Sequence, residues 1–180
     1  SMSALEFLIN GGRQVSVAHY DHGTDHGHEA RKFLEEFCKN QKIDFIYEVC
    51  DETPPTGRSK EEFWRTKRYN FFRTLDGPIV MGHHLDDAVE WWVFSALRGN
   101  PTLIPIRRSN PDVLRPFLLT PKSKMHDLLN KHPHIEDPSN ASIDFARNYI
   151  RHDLLHRCQK VNPGIQKTVR NLYLKKEKHA

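Results

Sequence analysis

Paired cysteines are missing from this 180-residue sequence. The three that are present, Cys38, Cys50 and Cys158, are widely spaced and form no C-x-x-C pair, which argues against a disulfide framework, an iron–sulfur site and a zinc ribbon. We interpret them as reduced core thiols and expect a cytoplasmic protein. Apolar runs of membrane-spanning length and a signal-peptide pattern are missing as well, so we expect no membrane partner.

Local nucleotide-binding and catalytic motifs are also missing. The sequence contains no G-x-x-x-x-G-K-[ST], no G-x-G-x-x-G and no G-x-S-x-G, the motifs of Walker loops, dinucleotide sites and nucleophile elbows. Its 12 histidines include no H-E-x-x-H pair, and zinc needs a defined ligand set near tetrahedral geometry. We therefore predict no dedicated metal site, and we expect histidines at strand ends to contact a ligand or to cap the sheet.

The composition that is present is that of a globular protein. The sequence is 37% apolar and has three Trp, five Tyr and ten Phe, which predicts one folded domain with room for a small appendage. Its net charge of +4 and pI of about 9.0 permit an anionic partner such as a nucleotide or RNA, but they do not require one.

Predicted helices and strands alternate in the first part of the chain. The hydrophobic pattern predicts helices over 1–10, 28–40, from the capping residue Ser59 onward and from Leu85 onward, with strands over 14–19, 43–49 and 79–81. This order predicts an α/β fold, a parallel twisted sheet with helices on both faces. Such a fold normally opens with a strand, so the first strand is predicted to be missing.

The character of the chain changes after residue 100. Residues 101–120 are rich in proline and hold one predicted edge strand at 113–115, and basic helices are predicted over 121–131, 145–158 and 163–176. We therefore divide the chain into an α/β domain, residues 1–120, and a basic helical extension packed on it, residues 121–180.

The junction between the strand at 79–81 and the next helix carries the strongest local signal. Ligands of open α/β sheets bind beyond the carboxyl ends of the strands, and two His and two Asp follow this strand end. Asp87 and Glu90 are three residues apart and share a helix face, where they could hold a cation, an ammonium group or a metal. An acidic helix start that favours the macrodipole is the alternative. We expect the pair to face the same hollow as His19 and His22.

Three sets of arginines are further candidates. Arg65 and Arg68 lie on adjacent surface of one helix, where a solvated basic face is the alternative. Arg115 is an isolated charge in an apolar run, which favours pairing with a carboxylate or phosphate. Arg147 opens a helix, where the dipole does not favour arginine. Local motifs alone indicate only an α/β domain with a polar crevice and leave open whether the crevice binds a nucleotide.

Four separated stretches carry longer motifs. They are residues 18–23, residues 59–69 with Arg65-x-x-Arg68-Tyr69, residues 82–99 with Gly82-His83-His84-Leu85-Asp86-Asp87-x-x-Glu90, and residues 114–118 followed by 136–140 and 147–151. Their order and spacing, over about residues 1–158, resemble the tRNA(Ile)-lysidine synthetases, a branch of the PP-loop ATP pyrophosphatases. The resemblance implies an adenine nucleotide alpha hydrolase-like fold.

That resemblance also implies an activity and the roles of individual residues. The family uses ATP and Mg²⁺ to adenylylate C2 of the wobble cytidine of tRNA(Ile), and the lysine ε-amine then displaces AMP. By motif, Asp87 and Glu90 receive the lysine, and Arg65 or Arg68 binds substrate. The adenosine contacts implied are Ser1, Ala18, His19, His22, Gly82 and His83, and the contacts to phosphate, substrate or tRNA are Asp86, Arg115, Asn140 and Arg147.

The sequence departs from the family at its start. The family signature is a Ser-Gly-Gly-x-Asp-Ser loop after the first strand, whose amides cradle the pyrophosphate. Ser1 resembles the last Ser of that loop, or else it precedes a native Met2; the sequence leaves both open. We expect this polypeptide alone to bind ATP weakly or not at all, with the first strand and loop supplied by a separate polypeptide or a longer gene product.

Two other interpretations are retained. One is another PP-loop enzyme such as a tRNA thiolase, although sulfur chemistry there generally relies on paired cysteines. The other is a non-catalytic fragment that binds RNA or a partner chain through its basic helices.

Overall fold

A computed structural model describes residues 2–57, 59–129, 135 and 146–177. Its helices are α1 (Met2–Asn10), α2 (Asp25–Gln41), α3 (Lys60–Arg73), α4 (Leu85–Leu97), α5 (Lys122–Leu129), α6 (Ala146–Tyr149), a π-helical segment (Ile150–Leu154), α7 (Leu155–Val161) and α8 (Ile165–Glu177). Its strands are β1 (Ser16–Asp21), β2 (Asp44–Val49), β3 (Ile79–Val80), β4 (Arg107–Ser109) and β5 (Asp112–Leu114).

The described strands form two sheets. β1 pairs with β2 in parallel, from Ser16 opposite Asp44 to Asp21 opposite Val49, so the predicted parallel pairing is confirmed for these strands. The other sheet has the strand order β3–β5–β4, and a cis peptide bond precedes Pro111 in the turn between β4 and β5. β4 was not predicted, because all three of its residues are exposed and it lacks apolar alternation.

The chain divides into two compact units. The strand-pair unit consists of residues 5–79 and 109–113, and the helical unit consists of residues 1–4, 80–108 and 114–180. This division differs from the predicted domain boundary at residue 120. The predicted boundary stays a prediction.

The strand-pair unit is a β–α–β arrangement with α3 added. Thr24 caps α2, since its side chain accepts a hydrogen bond from the Gly27 N–H, and the helix ends at Lys42 in the left-handed conformation. Ser59 caps α3 by accepting from the Glu62 N–H at 3.4 Å, as the capping pattern predicted. These caps fix where each helix leaves its neighbouring strand, and the carboxyl end of β1 therefore meets the start of α2.

The helical unit has the larger hydrophobic core, built mainly by α4 and α8. Along α8 the buried residues Ile165, Val169 and Tyr173 recur every four positions, which is the spacing of one helix face. They pack with Leu118 and with the apolar face of α4 in a single cluster. Leu118 is fully buried. This core fixes the start of α4, where the predicted site residues lie.

Most predicted elements lie within a few residues of those observed, and α1 ends at Asn10 as predicted. The helix predicted over 145–158 instead comprises α6, the π-helical segment and α7. The loop predicted at 134–140 lies outside the described residues, apart from Ile135. In the part of the chain that the structure describes, no helix has the length and apolar character needed to span a membrane.

Candidate functional site

A buried carboxylate ends β1. Asp21 is fully buried, and its oxygens accept hydrogen bonds from the Gly23 N–H at 2.9 Å, His28 Nδ1 at 2.6 Å and Arg31 Nε at 3.3 Å. Burial raises the pKa of Asp21, but the bonds from His28, Gly23 and Arg31 outweigh it and hold the pKa below its ordinary value. The carboxylate is therefore ionised and fixes the start of α2.

Two glycines allow close packing around this strand end, one beside the Cys50 carbonyl and the other beside the Asp21 carboxylate. Gly23 has φ +74°, and a Cβ there would lie 2.6 Å from the Cys50 carbonyl oxygen. A Cβ on Gly27 would lie 2.4 Å from Asp21 Oδ1. A larger residue at either position would push the chain away from the strand end.

The predicted adenosine contacts of β1 lie next to this carboxylate. Ala18 and His19 are half-buried, and the His19 ring hydrogen-bonds the backbone of Gly27. Burial lowers the pKa of His19, so the ring is neutral at pH 7. Within the described residues, the buried His19 Nε2 has no hydrogen-bond partner, which leaves a polar atom for a ligand to satisfy.

Aromatic rings enclose the other predicted histidine of this strand end. The His22 ring lies 5.4 Å from the Tyr20 ring and 5.2 Å from the Trp64 ring, centroid to centroid. Trp64 Nε1 is also buried, with no hydrogen-bond partner in the described part of the chain. The strand end thus combines flat apolar surfaces with unsatisfied ring nitrogens, a combination suited to a heteroaromatic ligand.

The two candidate arginines of α3 have different surroundings. Arg65 is exposed, and its guanidinium lies over the Tyr69 ring at 5.0 Å from the centroid. Arg68 is half-buried. The sequence left open which of them binds substrate, and both stay candidates.

A capping box opens α4. His84 Nδ1 accepts a hydrogen bond from the Asp87 N–H at 3.4 Å, and Asp87 Oδ2 accepts one from the His84 N–H at 2.9 Å. Burial lowers the pKa of His84 against the opposing pull of Asp87 and Asp86, so Nδ1 is free of a proton and can accept. Asp87 is thereby held at the first turn of the helix.

Asp87 and Glu90 belong to a network that we call the α4 carboxylate cluster, with Arg147 and Arg151. Glu90 is 1% exposed; its Oε1 accepts from Arg147 Nε, and its Oε2 accepts from Arg151 Nε at 2.8 Å. Arg151 also donates from Nη2 to Asp87 Oδ1 at 3.3 Å. Two carboxylates thus face two guanidinium groups. The sequence predicted that Asp87 and Glu90 could hold a cation, and the cations bound there in the structure are two arginines of the same chain.

Asp86 and Arg115 both form contacts within the helical unit. Asp86 accepts from the Lys122 N–H at 2.8 Å and from Gln166 Nε2 at 3.0 Å, which fastens the start of α4 to α5 and α8. Arg115 is 3% exposed and donates to the Pro105 carbonyl at 2.9 Å. Both side chains therefore position helices and loops of the helical unit, and their roles in substrate binding stay predictions.

The predicted site residues are divided between the two units. The strand-pair unit contains Ala18, His19, His22, Arg65 and Arg68. The helical unit contains Gly82, His83, Asp86, Asp87, Glu90, Arg115 and Arg147. Ser1 and Asn140 lie outside the described residues. The prediction that His19 and His22 share a hollow with Asp87 and Glu90 stays a prediction.

Sequence reasoning missed several members of these clusters. Arg151 was noted only as part of a motif, although its four-residue spacing from Arg147 places both on one helix face. His28 follows Asp21 by seven residues across a turn, a separation that no local rule connects. Among the described side chains, no group of three or more His, Cys, Asp and Glu could hold a metal ion.

The sequence matches the PP-loop domain family over residues 1–158. It is 34% identical over 145 residues to a tRNA(Ile)-lysidine synthase of Francisella philomiragia, covering 73% of this chain and 36% of that protein. It is 26% identical to the enzyme of the same name from Thermotoga maritima, covering 88% of this chain and 42% of that protein. It is 31% identical to the one from Streptococcus thermophilus, covering 91% of this chain and 40% of that protein. The chain thus spans less than half the length of these relatives.

A solved structure has the same fold. The U34-tRNA thiolase NcsA from Methanococcus maripaludis, determined with its [4Fe-4S] cluster, superposes with a TM-score of 0.76 over 99% of this chain and 68% of that one. At 13% identity, this likeness concerns the fold alone. It confirms the predicted PP-loop type of α/β fold.

Proposed function

We propose that this chain, which belongs to the PP-loop domain family, forms the ATP-dependent catalytic domain of a tRNA-modifying ligase. Its reaction is the attachment of lysine to the wobble cytidine of an isoleucine tRNA. The C2 oxygen of the cytidine bonds to the α-phosphorus of ATP and pyrophosphate leaves. The lysine ε-ammonium group then loses a proton to solvent and the resulting amine bonds to C2, while the C2–O bond breaks and AMP leaves with that oxygen. The names of the relatives support this reaction.

The observation that carries the proposal is the α4 carboxylate cluster. Asp87 and Glu90 lie on the first turns of a helix that follows a strand end, where α/β proteins bind ligands. A lysine ammonium group binds carboxylates, and Asp87 and Glu90 already bind the guanidinium groups of Arg147 and Arg151. The cluster thus has the chemistry required by an enzyme that binds an amino acid with a positive side chain.

Within this cluster we assign the ammonium group to Asp87. Both oxygens of Glu90 are already bonded to arginine, and its side chain is 1% exposed. Asp87 is 13% exposed, and among the described residues its Oδ1 has only the longer 3.3 Å contact with Arg151. An incoming ammonium group therefore competes most easily at Asp87 Oδ1, while Glu90 orients the two arginines.

ATP is assigned to the end of β1. The neutral His19 ring has a buried nitrogen with no partner among the described residues, which fits a hydrogen bond to a nucleotide base. Mg²⁺ is expected to arrive bound to the ATP phosphates. Because the described side chains form no cluster able to hold an ion themselves, we assign it no step.

The cysteines favour the ligase over a thiolase. Cys38 is fully buried, Cys50 is 8% exposed and Cys158 packs beside the core of the helical unit. All three are free. A sulfur-transfer enzyme needs thiolates that reagents can reach; Cys38 and Cys50 are buried and Cys158 alone is partly exposed, so no pair of reachable thiols is available for that chemistry.

The test is lysine-dependent AMP release from ATP with a transcript of tRNA(Ile) that has a CAU anticodon. The chain is assayed fused behind the strand and Ser-Gly-Gly-x-Asp-Ser loop typical of the family. Asp87→Asn removes a charge-assisted contact of about 1.5–3 kcal/mol, so the KM for lysine is expected to rise roughly 10- to 100-fold. Glu36→Gln is the control, because Glu36 is exposed on α2 and belongs to no predicted site, and its KM for lysine should stay within about twofold.

Two results would contradict these assignments separately. Absence of lysine-dependent AMP release from the fused protein would refute the ligase activity. An active Asp87→Asn variant with an unchanged KM for lysine would leave the activity in place and refute the role of Asp87.

A further inference from the structure

The charge of this protein is distributed unevenly along the chain. Residues 154–176 contain six Lys and Arg and no Asp or Glu. The whole chain has 27 Lys and Arg and 23 Asp and Glu. The rest of the chain, outside residues 154–176, therefore contains 21 Lys and Arg and all 23 Asp and Glu. The positive excess of the protein therefore lies entirely in this segment. We call its cations the basic face: Arg157, Lys160, Lys167, Arg170, Lys175 and Lys176.

Ordinary solvated helices mix both signs of charge, and α2 of the same chain is an example. It alternates Glu29, Glu35 and Glu36 with Arg31, Lys32 and Lys39. Mixed surfaces of this kind favour solubility without attracting a charged partner. A segment of single sign creates a local positive potential instead, which is the footprint of a surface that meets a polyanion.

The basic face is held by packed helices. Ile165, Val169 and Tyr173 are all 5% exposed or less, and the Tyr173 hydroxyl donates to the Ile104 carbonyl at 2.9 Å. Because these residues fix the inner side of α8, Lys167 and Arg170 are exposed on its outer side. The charges are thus presented on a 13-residue helix, about 20 Å long.

α7 continues the same surface. Arg157 forms an ion pair with Asp153, with hydrogen bonds of 3.0–3.2 Å that offset part of its charge, and Lys160 is exposed one turn later. The turn to α8 is closed by the Asn162 side chain, which accepts from the Gly164 N–H at 3.0 Å. Within the described part of α7 and α8, the exposed side chains include no Phe, Tyr or Trp, so the His156 imidazole is the one ring there on which a base could stack.

We propose that the basic face is a docking surface for the sugar–phosphate backbone of RNA. Lysines act as point charges towards phosphates, and contacts of this kind position an RNA without reading its sequence. The choice of RNA over another polyanion rests on the proposed function, whose substrate is a tRNA. The face thus increases affinity for any tRNA, and the selection of one anticodon belongs to other residues.

The experiment measures binding of two tRNA transcripts to the full 180-residue chain, without ATP or lysine, over a range of salt concentrations. One transcript is tRNA(Ile) with a CAU anticodon, and the other has a different anticodon. The test variant is Lys160→Gln with Lys167→Gln, and the control is Lys32→Gln with Lys39→Gln. All four lysines are exposed, so both variants lose the same charge, and circular dichroism checks that both are folded.

Counterion release gives the size of the effect. If two phosphate contacts are lost, the slope of log K against log salt should fall by roughly 1.4–1.8, and binding at 0.1 M salt should weaken roughly 25- to 60-fold. The control should bind both transcripts as the parent does. Equal weakening in both variants, no weakening in either, or displacement of the tRNA by poly-L-glutamate as readily as by unlabelled tRNA would overturn the proposal. Since no step uses ATP or lysine, a negative result here leaves the ligase activity untouched.

Discussion

Replacing Glu90 by Gln tests whether the α4 carboxylate cluster stabilises the helical unit. Glu90 is 1% exposed and bonds both Arg147 and Arg151. The variant keeps the shape of the side chain but removes its charge, and its amide nitrogen then faces a guanidinium as a second donor. Two arginines are left with Asp87 as the nearest carboxylate of the cluster.

The expected loss of unfolding free energy depends on how deeply Glu90 and its two arginine partners are buried. Removing one partner of a buried ion pair costs about 3–5 kcal/mol. Arg147 and Arg151 are 30% and 38% exposed, so water screens part of the loss and we expect about 2 kcal/mol. With a urea m-value of about 2 kcal/mol/M for a chain of this size, the unfolding midpoint should fall by about 1 M.

The assay is urea unfolding followed by circular dichroism, with Glu36→Gln as control. Glu36 is exposed on α2, so its loss should change the free energy of unfolding by less than about 0.5 kcal/mol. A double-mutant cycle of E90Q with Arg147→Gln then isolates the coupling between these two residues. If E90Q unfolds at the same urea concentration as E36Q, the network is not a stabilising one and the reasoning is refuted.

Three further substitutions probe other parts of the protein. The pKa of Asp21 in the folded protein lies below its ordinary 3.8, so its carboxylate stabilises the fold above about pH 4, and this contribution is lost as the pH falls. Asp21→Asn should therefore flatten the decline of the urea midpoint between about pH 5 and pH 2. An unchanged decline would contradict the assignment. His84→Ala should cost about 1 kcal/mol of unfolding free energy while His84→Asn retains most of it, because asparagine is a good N-cap; equal losses would exclude a capping role. Leu118→Ala should cost about 2–5 kcal/mol, checked by the same unfolding curves, and a loss below about 1 kcal/mol would mean that the core closes around the gap.

Elements governed by local rules were predictable from the sequence. α1 ends where Asn10 precedes two glycines, and α3 begins after Ser59, because helix stops and caps depend on neighbouring residues. The π-helical segment was not predictable, since Ile150–Leu154 has no pattern that separates it from an α-helix. The pairing of each short strand depends on residues far away in the chain, so the β3–β5–β4 order could not be predicted from the sequence.

The candidate site was predictable in its residue types and not in its partners. Carboxylates and histidines at strand ends were recognised because the fold class places ligands there. Glu90, however, is bonded to residues 57 and 61 positions later in the chain, and no spacing rule reaches so far. The interior position of Arg115 follows from a carbonyl acceptor at Pro105, which no charge pattern indicates.

The balanced charge of the α4 carboxylate cluster changes how its affinity for a cation is understood. From the sequence, two carboxylates three residues apart look like a vacant anionic receptor. In the folded protein Arg151 already contacts both carboxylates. The net binding free energy of an ammonium group is therefore the difference between its own interaction with Asp87 and the interaction of Arg151 that it replaces. Binding is therefore a competition between two cations for one carboxylate oxygen. Under the proposed assignment of lysine to Asp87, the strength of binding depends on how firmly α6 and the π-helical segment hold Arg147 and Arg151 in place, so a substitution in those helices is expected to change the affinity for lysine.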